Sequence, residues 1–145
     1  MRILHVVLFW VMALGGLSSC ALFRGDPVHV QYDRGVTESG VRWEDTRTGQ
    51  GHRVSWEDTV TVHMLTQLPD GTRVDSTRER GVPLTFSLQN PPVPGLLEGI
   101  TGMRPGGQRS MLLPPSRAFG SEGIPGRVPP ESPVRFAVEL LSATR

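Results

Sequence analysis

Lysine is absent from this chain: all 15 basic residues are arginine, set against 14 acidic ones. The arginines form no run, so nucleic acid, which needs a concentrated positive face, is not an expected partner. Cysteine occurs once, at Cys20. The fold therefore has no internal disulfide and must stand on its apolar core, which a domain of about 110 residues can supply. Cys, His and carboxylate residues never fall at metal-ligand spacing, so His52 and His63 read as structural and neither metal nor cofactor is expected. A G-x-S-x-G elbow and a phosphate-cradling glycine loop are missing too, which leaves covalent hydrolysis and nucleotide chemistry without their usual motifs. Long apolar runs are also lacking. The best of them, Ile3 to Leu14, falls short of the roughly 20 residues that cross a bilayer.

That short run has a different reading. Met1-Arg2 gives a positive start, the apolar stretch follows, and the small residues from Gly15 to Ser19 lead to Cys20. This is the order of a secretory signal. Leu17-Ser18-Ser19-Cys20 also resembles the lipobox of bacterial lipoproteins. The resemblance implies a diacylglycerol on the thiol, cleavage before Cys20 and acylation of the new amine. Several acyl chains on one residue anchor stably where a single chain would be marginal. The expected organisation is a signal peptide over 1–19, a lipidated N-terminus and flexible tether over 20–36, and one domain over 37–145. Ala21, rather than an aspartate, follows the cysteine and favours the outer membrane, with the domain facing the periplasm.

Within the domain the punctuation is regular. Val41 to Thr46 alternates as a strand. Thr59 to Leu68 is rich in β-branched residues and puts Val60, Val62 and Met64 on one face. Pro69-Asp70-Gly71 turns the chain, because proline presets one dihedral and glycine supplies the positive one. Thr72 to Ser76 returns as the partner strand, and Leu84 to Leu88 alternates again. One short helix is expected at Gly95 to Ile100, where Leu96 and Ile100 share a face and Gly102 can end it. Gln108 to Leu113 and Pro133 to Leu140 read as strands. Between them runs a long loop, from Pro114-Pro115 to Pro129-Pro130, stiffened by proline and carrying the aromatic Phe119. A loop this long inside a small domain is usually functional, and its composition suits the wall of an apolar pocket. The fold class is α+β, with five or six antiparallel strands wrapped on the short helix.

Taken in order, these landmarks resemble the FKBP family of peptidyl-prolyl isomerases. The resemblance rests on Asp58-Thr-Val-Thr-Val-His63, Leu68-Pro-Asp70-Gly71-Thr-Arg-Val-Asp75-Ser76 and Pro83-Leu-Thr-Phe86-Ser-Leu88. It continues through Val93-Pro-Gly95-Leu96-Leu-Glu98-Gly99-Ile100, Gly106-Gly107-Gln-Arg109, Ala118-Phe119-Gly120, Val128-Pro129-Pro130 and Phe136-Ala-Val-Glu139-Leu-Leu141. It implies a half-wrapped sheet with the helix against its concave face, a proline pocket between them, and rotation about the bond preceding proline. The implied partners are proline-containing segments of exported proteins, with the membrane reached through the lipid on Cys20.

The same resemblance assigns the site. Asp75 stands where the family has a pocket aspartate, with Arg80 able to pair with it, and the Val93 amide would be a substrate donor. Phe86, Val93, Val128 and Phe136 match pocket-lining positions, and Ile124 falls on the flap beside them. Met64 and Phe119 replace tyrosines, Val74 a phenylalanine, Leu96 a tryptophan and Leu84 a bulkier aromatic. The pocket stays apolar but loses two hydroxyls, so macrolide binding and catalysis should weaken. The residues alone admit plainer readings: Asp75–Arg80 as a structural ion pair, Phe86 and Phe136 as ordinary core, and Trp43 and Trp56 as packing at the sheet margin. Three functions compete: an envelope isomerase, a chaperone or binding lipoprotein with little catalysis, and a structural spacer.

Overall fold

The computed structural model describes residues 33–145. The signal reading, the lipidation site at Cys20 and most of the expected tether lie outside these residues. Seven strands form one antiparallel sheet: β1 Arg34–Val36, β2 Arg42–Arg47, β3 Thr59–Gln67, β4 Arg73–Ser76, β5 Leu84–Ser87, β6 Gln108–Leu113 and β7 Val134–Thr144. The order is β1-β2-β6-β7-β3-β4, and β5 pairs with the first half of β3. The longest pairing joins β3 to β7, from Thr59 opposite Thr144 to Gln67 opposite Arg135.

Alternation sets the two faces of the sheet. Along β3 the even-numbered residues Val60, Val62, Met64 and Thr66 are buried, and so are Val134, Phe136, Val138 and Leu140 along β7. They face helix α2, Pro94–Ile100, whose Leu96 and Ile100 are fully buried. Two glycines bring this helix close to β6. A Cβ at Gly95 would come 2.6 Å from Leu113, and one at Gly99 would strike the sulfur of Met111. The C-terminal carbonyls of α2 are met by buried Arg109, which donates to Gly99 at 2.9 Å and Thr101 at 3.3 Å. That guanidinium is neutralised by Asp45, at 2.5 and 3.0 Å, and stacks 3.9 Å from the centroid of the Trp43 ring. A buried charge this fully partnered is tolerable where a bare one would not be.

Three details differ from the sequence reading. The sheet has seven strands rather than five or six, because Arg34–Val36 pairs with β2 inside the expected tether. Those three residues carry no alternation to announce a strand. Gly35 permits the pairing, since a Cβ there would sit 2.8 Å from the Trp43 indole. A second helix, α1 Thr77–Arg80, follows β4, and a short 3-10 turn runs over Pro115–Arg117. The sequence did carry a sign of α1: Ser76-x-x-Glu79 has capping-box spacing, the Ser76 Oγ accepts from the Glu79 amide, and Gly81 closes the end in the left-handed region. Finally, Trp43 packs at the margin as expected, but Trp56 is 56% exposed.

Candidate functional site

The apolar residues expected to form a pocket converge on one cluster. Met64 on β3, Val93 at the start of α2, Leu96 on α2, Val128 in the long loop and Phe136 on β7 are all buried. Val74 on β4, Leu84 and Phe86 on β5, and Phe119 and Ile124 in the loop are partly buried and pack against the same cluster. The site is thus graded, with a buried floor and a rim that keeps access to water. Local rules explain both. The floor residues lie on the inward parity of long strands or on the buried stripe of a helix. The rim residues lie on short strands and a loop, where fewer neighbours can cover them.

The polar pair sits at the edge of this surface. Asp75 ends β4, and α1 brings Arg80 back beside it, so that the Arg80 guanidinium donates to Asp75 Oδ1. The Asp75 side chain is 33% exposed and that of Arg80 is 52% exposed. The pair is therefore solvent-screened and adds little to stability. What fixes α1 is a residue the sequence reading passed over, the fully buried Thr77. Its hydroxyl accepts from the Met64 amide at 2.8 Å and lies 3.0 Å from His63 Nδ1. His63 is thereby tied to a threonine, in keeping with its structural reading. Thr77 also couples Arg80 and Met64, two residues on opposite sides of the Asp75 carboxylate in sequence.

The long loop is a hydrogen-bonded flap. The Gly120 amide donates to the Pro115 carbonyl at 2.8 Å, Gly123 to Phe119 at 3.1 Å and Glu131 to Gly120 at 3.0 Å. Ile124 and Val128 exchange both backbone bonds, at 2.9 and 2.8 Å, and form a small hairpin at the tip. Phe119 is held between these turns with its ring against the cluster. Val93 is the N-cap of α2 in extended geometry, its carbonyl accepting from Leu96 at 3.0 Å. Its own amide donates to no acceptor among the described residues. A separate cleft of about 430 Å³ includes His63, Leu65, Ala137 and Glu139 in its lining and shares only Met64 with this site. No grouping of three or more His, Cys, Asp or Glu residues that could hold a metal occurs among the described residues.

The model of the FKBP-type peptidyl-prolyl cis-trans isomerases matches residues 50–141. The chain belongs to this family. It is similar to the FKBP-type isomerase FkpA of Escherichia coli K12, at 37% identity over 111 residues, covering 75% of this chain and 40% of that one. The isomerase Mip of Coxiella burnetii is 35% identical over 107 residues, covering 74% of this chain and 46% of the relative. FK506-binding protein 2 of Yarrowia lipolytica is 44% identical over 86 residues, covering 59% and 60%. Among solved structures, E. coli FkpA superposes with a TM-score of 0.70 at 33% identity, over 77% of this chain and 51% of that one. AtFKBP13 gives the same score at 27% identity, over 77% and 99%. The FKBP fold expected from the sequence is therefore the fold observed. The chain spans about half the length of the bacterial relatives it matches, so the match concerns their FKBP portion.

Proposed function

We propose that the chain is a peptidyl-prolyl cis-trans isomerase acting on X–Pro bonds of exported proteins in the cell envelope. The observation that carries this reading is the graded apolar cluster, with the Asp75–Arg80 pair at its edge and the Phe119 flap beside it. Rotation about an X–Pro bond meets a barrier of about 20 kcal/mol and takes tens of seconds or more unaided. Planar amide resonance places opposite partial charges on oxygen and nitrogen, and twisting the bond removes them. Water favours the polar planar form, so a dry floor of Leu96, Val93 and Phe136 favours the twisted one. The proline ring would enter over that floor. The Val93 amide would hold a substrate carbonyl, and Asp75 would act on the carbonyl of the turning bond. No covalent step is required.

A second reading is supported by Met64 in the floor and Phe119 at the rim, neither of which brings a hydroxyl to the site: an FKBP-fold chaperone or binding lipoprotein with weak catalysis. Line-shape or exchange spectroscopy on the domain with a Leu-Pro or Phe-Pro peptide separates the two. Faster exchange than in buffer supports the isomerase, whereas binding with no acceleration selects the chaperone. The envelope assignment rests on the N-terminal sequence, read as a lipoprotein signal over 1–19 that is cut before Cys20. Cys20→Ser should move the full-length protein from the membrane to the soluble fraction, and a protein that stays membrane-bound would overturn the anchor.

A further inference from the structure

Glu98 lies on α2, on neither the floor nor the rim, yet three elements meet at its carboxylate. Ser39, from the turn between β1 and β2, donates its hydroxyl to Oε2. Arg117, at the root of the flap, places Nε 3.3 Å from Oε1. Thr37 Oγ1 lies 3.0 Å from the Ser39 hydroxyl and accepts from the Val41 amide at 3.2 Å, so the first turn is braced as well. The Glu98 side chain is only 24% exposed. The Arg117 backbone also passes close to α2, since its carbonyl would be 2.8 Å from a Cβ at Gly95. Its own amide bonds to the Pro114 carbonyl at 2.9 Å. Two residues further along the chain stands Phe119.

We propose that Glu98 is a positioning residue for the isomerase site: through Arg117 it locks the root of the flap to the helix that carries Leu96 and Val93, and so sets the gap between Phe119 and the floor. The kinetic part of this proposal rests on the isomerase reading; the structural part does not. Glu98 touches no reacting atom. Its effect is on how much of the time the flap stands at the right height, which weakens substrate capture more than the turning step. The ion pair is the working contact. Ser39 fixes the carboxylate's direction, and the absence of a side chain at Gly95 lets the Arg117 backbone come close enough to α2 for the pair to form.

The test is a two-residue cycle with a second readout. Arg117→Ala should raise KM for an X–Pro peptide about fivefold with kcat within about twofold, and Glu98→Gln should do the same. Combining them should add nothing further, and Arg117→Lys should recover most of the loss. Amide hydrogen exchange then reports on the flap without reference to catalysis. Gly120, Gly123, Ile124 and Val128 should exchange faster in either variant, while Val60 and Val62 keep wild-type protection. An unchanged KM, additive single effects, or exchange accelerated evenly across the sheet would overturn the proposal. If the wild-type domain turns no peptide at all, the isomerase reading fails by itself, and local flap exchange in Arg117→Ala still decides the role of Glu98.

Discussion

The floor and the rim of the site are held by different physics. Phe136, Leu96 and Val93 are buried in the core cluster, and each side chain is fixed by apolar packing. Phe119, Ile124 and Asp75 are held instead by backbone hydrogen bonds within the flap and by an exposed ion pair. A residue in the floor can change only for one that refills the same apolar space. One at the rim can change with little cost to stability, because its position is set by its backbone rather than its side chain. The departures that the family resemblance implies fall on both sides of this division. By that resemblance Phe119 stands for a tyrosine on the flap, and in the floor Leu96 and Met64 stand for aromatic residues while keeping it apolar.

The comparison is broken most directly in the floor. Phe136→Ala should cost about 3–5 kcal/mol of stability, since it removes a fully covered ring between β3 and β6. Denaturant titration measures this, and a loss below about 1 kcal/mol would mean that the floor is not close-packed. At the rim the balance reverses. Asp75→Asn should lower kcat/KM about tenfold while changing stability by no more than about 1 kcal/mol, because the carboxylate it removes is solvent-screened. Equal damage to folding and rate would place Asp75 with the floor, as the structural ion pair that the residues alone also allow.

The same division explains what could be read from the sequence. The floor was legible because its signals are periodic. Val60, Val62 and Met64 repeat every second residue, and Leu96 and Ile100 share a helical stripe, so β3 and α2 could be placed to within about two residues. The site's apolar residues could be named because the order of short motifs resembles a known family, which periodicity alone would not have supplied. β1 was missed because its three residues form a strand only through the Trp43 indole lying over Gly35, a long-range contact with no local pattern. Thr77 and Glu98 were missed as positioning groups for a related reason. Each works through partners from other elements, Met64 and His63 for one, Ser39 and Arg117 for the other, and sequence distance hides such meetings.

A substitution that adds a group at the rim is gentler still. Phe119→Tyr keeps the ring on the cluster and extends a hydroxyl to the place from which, by the family resemblance, a substrate carbonyl is reached. One added hydrogen bond in the transition state should raise kcat/KM several-fold, by about 1 kcal/mol, and leave stability within about 0.5 kcal/mol. A rate that stays level or falls would show that the flap holds the ring at a different height from the family's.

Acid sharpens the comparison from the other side, by asking whether the floor depends on any charge. Asp58 immediately precedes β3 and its side chain is fully buried. Oδ2 accepts from the Ser55 amide at 2.8 Å and lies 3.4 Å from His52 Nε2, while Oδ1 has no hydrogen bond among the described residues and faces Arg145 Nε at 3.7 Å. The Ser55 amide holds the carboxyl below its ordinary value of 3.8, against the burial that would raise it, with help from His52 and Arg145. A carboxyl whose folded value is depressed stabilises the fold fully above its unfolded value, and that contribution disappears as pH falls through the folded one. The melting temperature should therefore stay level from about pH 7 to about pH 5 and decline below about pH 4. Asp58→Asn should start lower at neutral pH and decline less steeply. An equally steep acid limb in that variant would transfer the dependence to the other depressed carboxyls: Asp70, held down by the Thr72 amide, and Glu98, where burial would raise the value but the Ser39 and Thr37 hydroxyls and the Arg117 charge outweigh it. Glu98→Gln would then separate the two, since a flattened acid limb in that variant would mean that acid loosens the root of the flap while the floor rests on apolar burial.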